Sequence, residues 1–207
     1  MQRDAPNDSN TSAELPAIEF DSPGRFSLHN PGLETSAKAP ALVVPERQDR
    51  LLQRFSSPEE ARTHVLALLP QATSNVCLYS PDLEPWLYSN NDFQRACRHF
   101  LLAHPQNRLR VLVRDSGRAV REGHQLLALA RRLTSKLHIR KLNSEYPNED
   151  CAFILVDSRS FLLRPKADQQ TGYALYNDPG KARLQQSQFD QAWDHSLSDP
   201  DLRSFLL

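Results

Sequence analysis

Short apolar runs alternate with helix-like segments through the middle of this 207-residue chain. Residues 75–79, 109–113 and 137–140 have the length and composition of buried strands. A helix is predicted over about 118–133, between the second and third runs. Since strands that alternate with helices form parallel sheets covered on both faces, this part of the chain is predicted to be α/β. Between the first two runs, apolar residues recur at the spacing of one helix face: Phe93, Ala96, Cys97, Phe100 and Leu101.

The chain around residue 157 predicts a different kind of strand connection. Residues 151–156 and 161–163 are apolar, and only the polar run 157–160 separates them. Two strands joined by so short a turn form an antiparallel hairpin. The predicted fold class is therefore α/β, with a mixed, mostly parallel sheet flanked by helices. A last helix over about 180–196 places four residues against the body: Ala182, Phe189, Ala192 and Trp193.

Two of the predicted helices have clear start signals. Ser57 is in the N-cap position, Pro58 follows at the first helical position, and Glu60 is placed to close a capping box. Pro70 is predicted to stop that helix. The second helix is predicted to be capped by Asn90 or by its neighbour, residue 91.

Residues 1–45 differ in composition from the rest of the chain. They contain six of the fifteen prolines, and their three basic residues oppose six acidic ones, a net charge of −3. They have no sustained apolar periodicity, so they are predicted to be a disordered, acidic, proline-rich arm. The folded domain is predicted to span residues 46–207.

Charge and cysteine usage restrict the compartment and the partners. Twenty-five basic residues balance twenty-five acidic ones, so no overall field draws the chain to nucleic acid or membrane. The start has no signal region, and no apolar stretch approaches the length of a membrane-spanning helix. Cys77, Cys97 and Cys151 are widely spaced within apolar runs, which favours free thiols over disulfides or a zinc site. The predicted location is the cytoplasm, with no cofactor and no metal.

Polar side chains follow the first two predicted strands and precede the hairpin. Ligands of open α/β sheets bind beyond the carboxyl ends of the parallel strands, and the reversed hairpin strand begins at the same rim. Carboxylates around an arginine suit a cationic or polar ligand, or a metal, better than bare phosphate. The residues of this candidate binding cleft are Ser80, Asp82, Glu84, Arg114, Asp115, His124 and Asp150.

Each of these residues also has a purely structural interpretation. Asp82 and Asp115 follow strands and precede helices, where carboxylates routinely cap turns, and Arg114 would then pair with one of them. His124 has an ordinary pKa near neutrality and would suit acid–base chemistry, but no nucleophile or orienting partner accompanies it in the sequence. Cys151 would be a reactive thiolate only beside a cation. The structural alternative stays open for all of them.

Ten basic residues lie within 34 positions and raise the alternative of a nucleic-acid-binding face. Strand and helix alternation is expected to spread them over several faces, and no aromatic residue lies among them to stack a base. These residues are Arg108, Arg110, Arg114, Arg118, Arg121, Arg131, Arg132, Lys136, Arg140 and Lys141.

The order of elements, the hairpin with Asp157 at its turn, and a last helix reading Phe-x-x-x-Trp-x-x-Ser resemble half of a phospholipase D-like domain over residues 55–197. In that superfamily the first hairpin strand normally carries a His-x-Lys pair ahead of the matching Asp. Here the Lys position is Ala152 and the His position is Asp150. The resemblance implies loss of the attacking imidazole and of the ammonium that binds the phosphate oxygens, and hence a pseudoenzyme.

A narrower resemblance rests on the runs 79–85, 113–115 and 123–127. They are similar to an uncharacterised bacterial domain family whose members often follow a GNAT-type N-acetyltransferase domain. That resemblance implies an accessory or regulatory module with an acetyltransferase partner. Since phospholipase D-like proteins generally pair two such halves, a homodimer through the rim is implied as well.

The leading functional prediction is a non-catalytic ligand-binding or protein-interaction module. The first alternative is a nucleic-acid-binding protein that uses its Arg-rich face. The second alternative is an atypical phosphodiesterase in which Asp150 would be the nucleophile.

Overall fold

In the computed structural model, residues 50–147 and 150–203 are described. The predicted arm, residues 1–45, lies outside the described residues. The strands of the described part are β1 (Leu51–Phe55), β2 (Asn75–Ser80), β3 (Arg108–Val113), β4 (Leu137–Lys141), β5 (Ala152–Val156), β6 (Ser160–Arg164) and β7 (Gly172–Tyr176). Its helices are α1 (Pro58–Leu68), α2 (Pro85–Tyr88), α3 (Asn91–Ala103), α4 (Gly117–Arg121), α5 (Gln125–Arg132), α6 (Pro179–Asp194) and α7 (Pro200–Arg203), with a 3₁₀ turn (Leu69–Gln71) after α1.

The strands form one sheet in the order β1-β7-β6-β5-β2-β3-β4. The α/β class, the mixed sheet and the flanking helices are confirmed. The predicted proportion of parallel strands is corrected, because only β2–β3 and β3–β4 are parallel while the other four pairings are antiparallel. The difference comes partly from two strands that the sequence analysis did not predict: β1 exposes four of its five residues, and β7 begins with a glycine.

The two faces of the sheet bury different side chains, as the two-residue period of a strand requires. On one face, Val76 and Leu78 of β2 pack in a cluster with residues of α1, α3 and α5. On the other face, Cys77 and Tyr79 pack in a cluster with Phe189 of α6. Among the described residues, no helix is both long and apolar enough to cross a membrane.

The predicted helix starts are confirmed with one change of partner. Ser57 Oγ accepts a hydrogen bond from Glu60 N at 3.2 Å, but the Glu60 carboxylate accepts from Ser56 N at 2.8 Å rather than from Ser57. Pro70 lies in the 3₁₀ turn that follows α1. Asn90 is the cap of α3, since its Oδ1 accepts from Phe93 N at 2.8 Å.

The single helix predicted over about 118–133 is wrong, because two helices, α4 and α5, occupy this stretch. Gly123 lies between them with φ of +64°, a conformation that residues with a side chain seldom adopt. A glycine in this conformation ends the first helix. His124 then caps the second helix by accepting from Leu126 N. Because the apolar residues of α5 have regular helical spacing, the pattern did not indicate that a break precedes them.

The predicted hairpin is present as β5 and β6. Asp157 and Ser158 have φ of +50° and +51°, the left-handed pair that a tight hairpin turn requires. The Asp157 carboxylate accepts hydrogen bonds from Thr73 N at 2.6 Å, Ser74 N at 2.9 Å and Asn75 N at 2.8 Å, and from the Thr73 and Ser74 hydroxyls. It therefore anchors the hairpin turn to the start of β2.

Substitution of Asp157 tests this anchor. Partial burial would raise the pKa of the carboxyl, but its hydrogen bonds prevail and hold that pKa below the ordinary 3.8. Its stabilisation is therefore complete above about pH 4 and is lost as the pH falls through the lower folded-state value. At pH 7, Asp157→Ala is expected to lower the free energy of unfolding by about 2 kcal/mol in urea denaturation.

The difference between wild type and Asp157→Ala should shrink when the same denaturation is repeated near pH 3. Asp194→Ala, which removes an exposed carboxylate from the end of α6, is the control and should have little effect at either pH. A pH-independent difference between Asp157→Ala and wild type would contradict the anchor.

Candidate binding groove at the rim of the sheet

A groove of about 550 Å³ lies where β2 and β3 end. The predicted cleft residues Asp82, Glu84, Arg114 and Asp115 line it. Asp150 lies beside it and forms an ion pair with Arg114 at 3.6 Å, so the start of the hairpin reaches the same rim. We call this the rim groove; its lining residues are Pro81, Asp82, Glu84, Trp86, Arg114, Asp115, Arg118, Ala167 and Asp168.

A buried ion pair between Glu84 and Arg164 lies at the base of the rim groove. The two residues are 4% and 1% exposed, and Arg164 Nη2 donates to Glu84 Oε1. Ser80 Oγ donates to the other Glu84 oxygen at 3.0 Å. Arg164 Nη1 donates to the carbonyls of Ala167 and Gln169, each at 3.0 Å. Both oxygens of Glu84 and both terminal nitrogens of Arg164 are therefore engaged inside the protein, while Arg164 Nε is buried without a hydrogen-bond partner among the described residues.

Burial lowers the pKa of Arg164 to about 10, although the nearby Asp82 and Asp168 carboxylates act in the opposite direction. The guanidinium therefore keeps its charge at neutral pH, and its carbon lies 5.2 Å from the Trp86 ring centroid. An aromatic face at this distance further stabilises the buried cation.

The turn after β2 explains why Glu84 points inward. Leu83 and Glu84 have φ of +65° and +31°, values that residues with a side chain seldom adopt. Two side chains hold the turn: Ser80 Oγ accepts from Leu83 N at 3.1 Å, and Asp82 Oδ1 accepts from Glu84 N at 3.0 Å. Such a conformation persists only where the surrounding contacts determine it, and such residues concentrate at functional sites.

The walls of the rim groove combine paired and unpaired charges. Arg118 donates to Asp82 at 3.1 Å and to Glu122 at 3.0 Å. Asp115 Oδ1 accepts from Gly117 N at 2.9 Å, as the structural interpretation of that residue predicted. Neither Asp115 nor Asp168 forms an ion pair with any residue in the described ranges. The carboxylates of Asp115 and Asp168 are thus available to attract a ligand that enters the groove.

His124 is not a lining residue of the rim groove. It is 2% exposed, and its Nδ1 accepts from Leu126 N at 3.1 Å, which places the ring proton on Nε2. Burial lowers the pKa of His124, although the Leu83 backbone and the charges of Asp82 and Glu122 oppose this. Its role is to cap α5, as a neutral imidazole near neutral pH.

Two further residues named in the sequence analysis, Asp157 and Cys151, do not line the rim groove. Asp157, which the resemblance equates with an Asp of the phospholipase D-like superfamily, lies at the opposite end of β5 from the rim. Cys151 is half-buried at the start of the hairpin. Within residues 50–147 and 150–203, no group of three or more His, Cys, Asp or Glu side chains is arranged to hold a metal.

The most informative residue of the site, Arg164, was not predicted. It lies opposite Ala152 in the β5–β6 register. The one signal for it in the sequence was that a charged residue, Arg164, directly follows the apolar run 161–163. Its partner Glu84 is 80 positions away, a separation at which sequence spacing carries no information.

The ten clustered basic residues do not form one face. Arg110 pairs with Asp190 at 2.9 Å and lies 5.1 Å from the Phe189 ring centroid. Lys136 donates to the carbonyls of Leu101 and His104, and Arg108 donates to that of Pro105. With Arg114 and Arg118 in the rim groove and Arg140 stacked on Trp193, at least six of the ten have partners within the domain.

Comparisons with known proteins agree with this description. Residues 57–205 match the model of DUF7931, a domain of unknown function. The fold is similar to Nuc from Salmonella typhimurium, a phospholipase D family member (TM-score 0.52, 17% identity, 72% of this chain, 97% of that chain). It is also similar to TrmBL2, an archaeal chromatin protein (TM-score 0.55, 13% identity, 75% of this chain, 55% of that chain). No curated protein matches in sequence. The chain thus belongs to the DUF7931 family, and its fold is phospholipase D-like.

Proposed function

We propose that this domain is a non-catalytic binding module whose rim groove takes a cationic or polar group from a ligand or a partner protein. The observation that carries the proposal is the buried Glu84–Arg164 pair. The opposite charges of this pair neutralise each other at the base of the groove. The carboxylates of Asp115 and Asp168, which form no ion pair among the described residues, lie at the walls.

The charge of the groove supports a cationic guest. Its lining residues carry four carboxylates against two guanidinium groups, a net charge of −2. An anionic phosphate would meet repulsion from this surface, whereas an ammonium or guanidinium group would be attracted. A volume of about 550 Å³ is enough for a small ligand or for one or two side chains of a partner.

The absence of phosphodiesterase activity is part of the proposal. Phosphoryl transfer of the phospholipase D type needs a nucleophile and a cation that is free to bind the phosphate oxygens. Ala152 supplies neither, and the nearby Arg164 guanidinium is engaged by Glu84 and two carbonyls. The Asp150 carboxylate, the remaining candidate nucleophile, is paired with Arg114.

Nucleic-acid binding is the second candidate function. TrmBL2, an archaeal chromatin protein that shows a novel mode of DNA binding, has a similar fold at 13% identity. The scattered placement of the basic residues weakens this candidate. A DNA titration separates the two functions, because six phosphate contacts would weaken binding about a thousandfold between 50 and 200 mM salt.

The two predicted protein partners would use the rim differently. A homodimer through the rim would cover the groove of each copy, whereas an acetyltransferase partner would leave the domain monomeric by itself. Both stay predictions, and analytical ultracentrifugation of the isolated chain distinguishes them.

Binding of a small polycation tests the rim groove directly. Spermidine is expected to bind, and Asp115→Asn combined with Asp168→Asn should weaken its binding about fivefold, because two exposed attractions are removed. Isothermal titration calorimetry at low ionic strength gives the dissociation constants. Salt should weaken binding to wild type further.

The control removes the same charge from sites away from the groove, with Glu145→Gln and Asp194→Asn in one chain. Both residues are exposed. Equal weakening in the two double variants would mean that spermidine responds only to net charge, and the proposal would fail. Failure of spermidine to bind wild type would also contradict it.

The catalytic part of the proposal has its own test. With bis(4-nitrophenyl) phosphate, the purified chain is expected to release nitrophenolate no faster than a buffer blank. Turnover that Asp150→Asn abolishes and Asp194→Asn retains would overturn the assignment of a non-catalytic module.

A further inference from the structure

A second pocket, of about 430 Å³, lies at the β4 edge of the sheet, and it has the opposite charge to the rim groove. It shares no lining residue with the rim groove. We call it the edge pocket; its lining residues are Ala130, Arg131, Thr134, Leu137, His138, Ile139, Arg140, Ser198 and Leu202.

The polar lining of the edge pocket favours an anion. Arg131, Arg140 and His138 supply basic groups, and Thr134 and Ser198 supply hydroxyls. None of its nine lining residues is a carboxylate. Guanidinium groups that no lining carboxylate neutralises are the usual partners of carboxylate and phosphate groups.

Arg131 has a donor that the described structure leaves without an acceptor. It lies in the last turn of α5, where a cation offsets the helix dipole, and this alone would explain a basic residue at that position. The dipole does not supply an acceptor for Nε, which is buried and has no hydrogen-bond partner among the described residues. A buried donor without a partner is costly, and a bound anion would satisfy it.

Arg140 is held in place by an aromatic ring rather than by an acid. Its guanidinium carbon lies 4.6 Å from the Trp193 ring centroid, and it forms no ion pair within residues 50–147 and 150–203. Stacking on a ring restrains the guanidinium and leaves its N–H groups able to donate in the plane of the group. The cation is therefore pre-oriented without being neutralised.

The remaining lining of the pocket is apolar. Leu137 and Leu202 are 2% and 5% exposed, and Ile139 lies between the two basic residues of β4 that line the pocket. Pockets that combine an apolar surface with a few convergent polar groups are typical of sites for small organic molecules.

We infer that the edge pocket binds a small organic anion. Arg131 binds its carboxylate or phosphate group, and its apolar body packs on Leu137, Ile139 and Leu202. The Arg140 side chain stacks on Trp193 of α6, on the opposite face of the sheet from α5, and adds a longer-range attraction for the anion. This site is separate from the proposed rim-groove function, and neither depends on the other.

In the experiment, the full chain is titrated with phenyl phosphate, benzoate and inorganic phosphate at constant ionic strength. Isothermal titration calorimetry measures the binding of each. At least one of the two aromatic anions is expected to bind wild type, and inorganic phosphate should bind more weakly because it lacks an apolar body. Arg131→Gln should weaken binding about tenfold, the loss of one charge-assisted contact, and Arg140→Gln should weaken it less. Binding of phenyl phosphate alone would identify a phosphate ester as the ligand class, and binding of benzoate alone a carboxylate.

Arg183→Gln is the matched control, because Arg183 is exposed on α6 and forms no ion pair in the described part of the chain. Its affinity should stay within about twofold of wild type. Arg131→Lys keeps the charge without the planar fork, so it should bind more weakly than wild type even if Arg131→Gln folds poorly. The inference is overturned if neither aromatic anion binds, or if Arg183→Gln weakens binding as much as Arg131→Gln.

Discussion

The contact between Glu84 and Arg164 links the two halves of the sheet at the rim. Glu84 belongs to the turn after β2, on the parallel side, and Arg164 ends β6, on the antiparallel side. A buried ion pair contributes little net stability compared with apolar residues of the same size, but loss of one partner strands the other charge in the interior. We therefore expect the pair to fix the geometry of the rim more than it stabilises the fold.

The proposed binding function depends on this arrangement. The buried cation is paired with Glu84, and the carboxylates of Asp115 and Asp168 line the walls without an ion pair among the described residues. The balanced net charge of the chain conceals this segregation. An acidic groove lies at the rim and a basic pocket at the β4 edge, and the sum over all residues shows neither.

Local sequence signals predicted the local structure well. The caps at Ser57 and Asn90, the parallel strands β2 to β4 and the hairpin all follow from spacing and from turn residues, and the structure contains them. The strands β1 and β7 escaped prediction because they join the sheet at its antiparallel side, where pairing with a neighbour compensates for a weak apolar pattern.

The site was predictable only in part, for a physical reason. Topology alone brings Asp82, Arg114, Asp115 and Asp150 to one rim, and that much was predicted. Whether each charge is exposed or neutralised depends on contacts between residues far apart in the chain. His124 was a cleft candidate because of its ordinary pKa near neutrality, but its capping role depends on a helix break that was not predicted. Arg164 was missed because its partner lies in another element.

A double-mutant cycle on Glu84 and Arg164 tests the central claim most directly. Free energies of unfolding are measured for wild type, Glu84→Gln, Arg164→Gln and the double variant. Each single variant should lose about 3 kcal/mol or more, and the double variant should lose clearly less than their sum, with a coupling energy of about 2 kcal/mol. Additive losses, with a coupling energy near zero, would contradict the account of the rim given above.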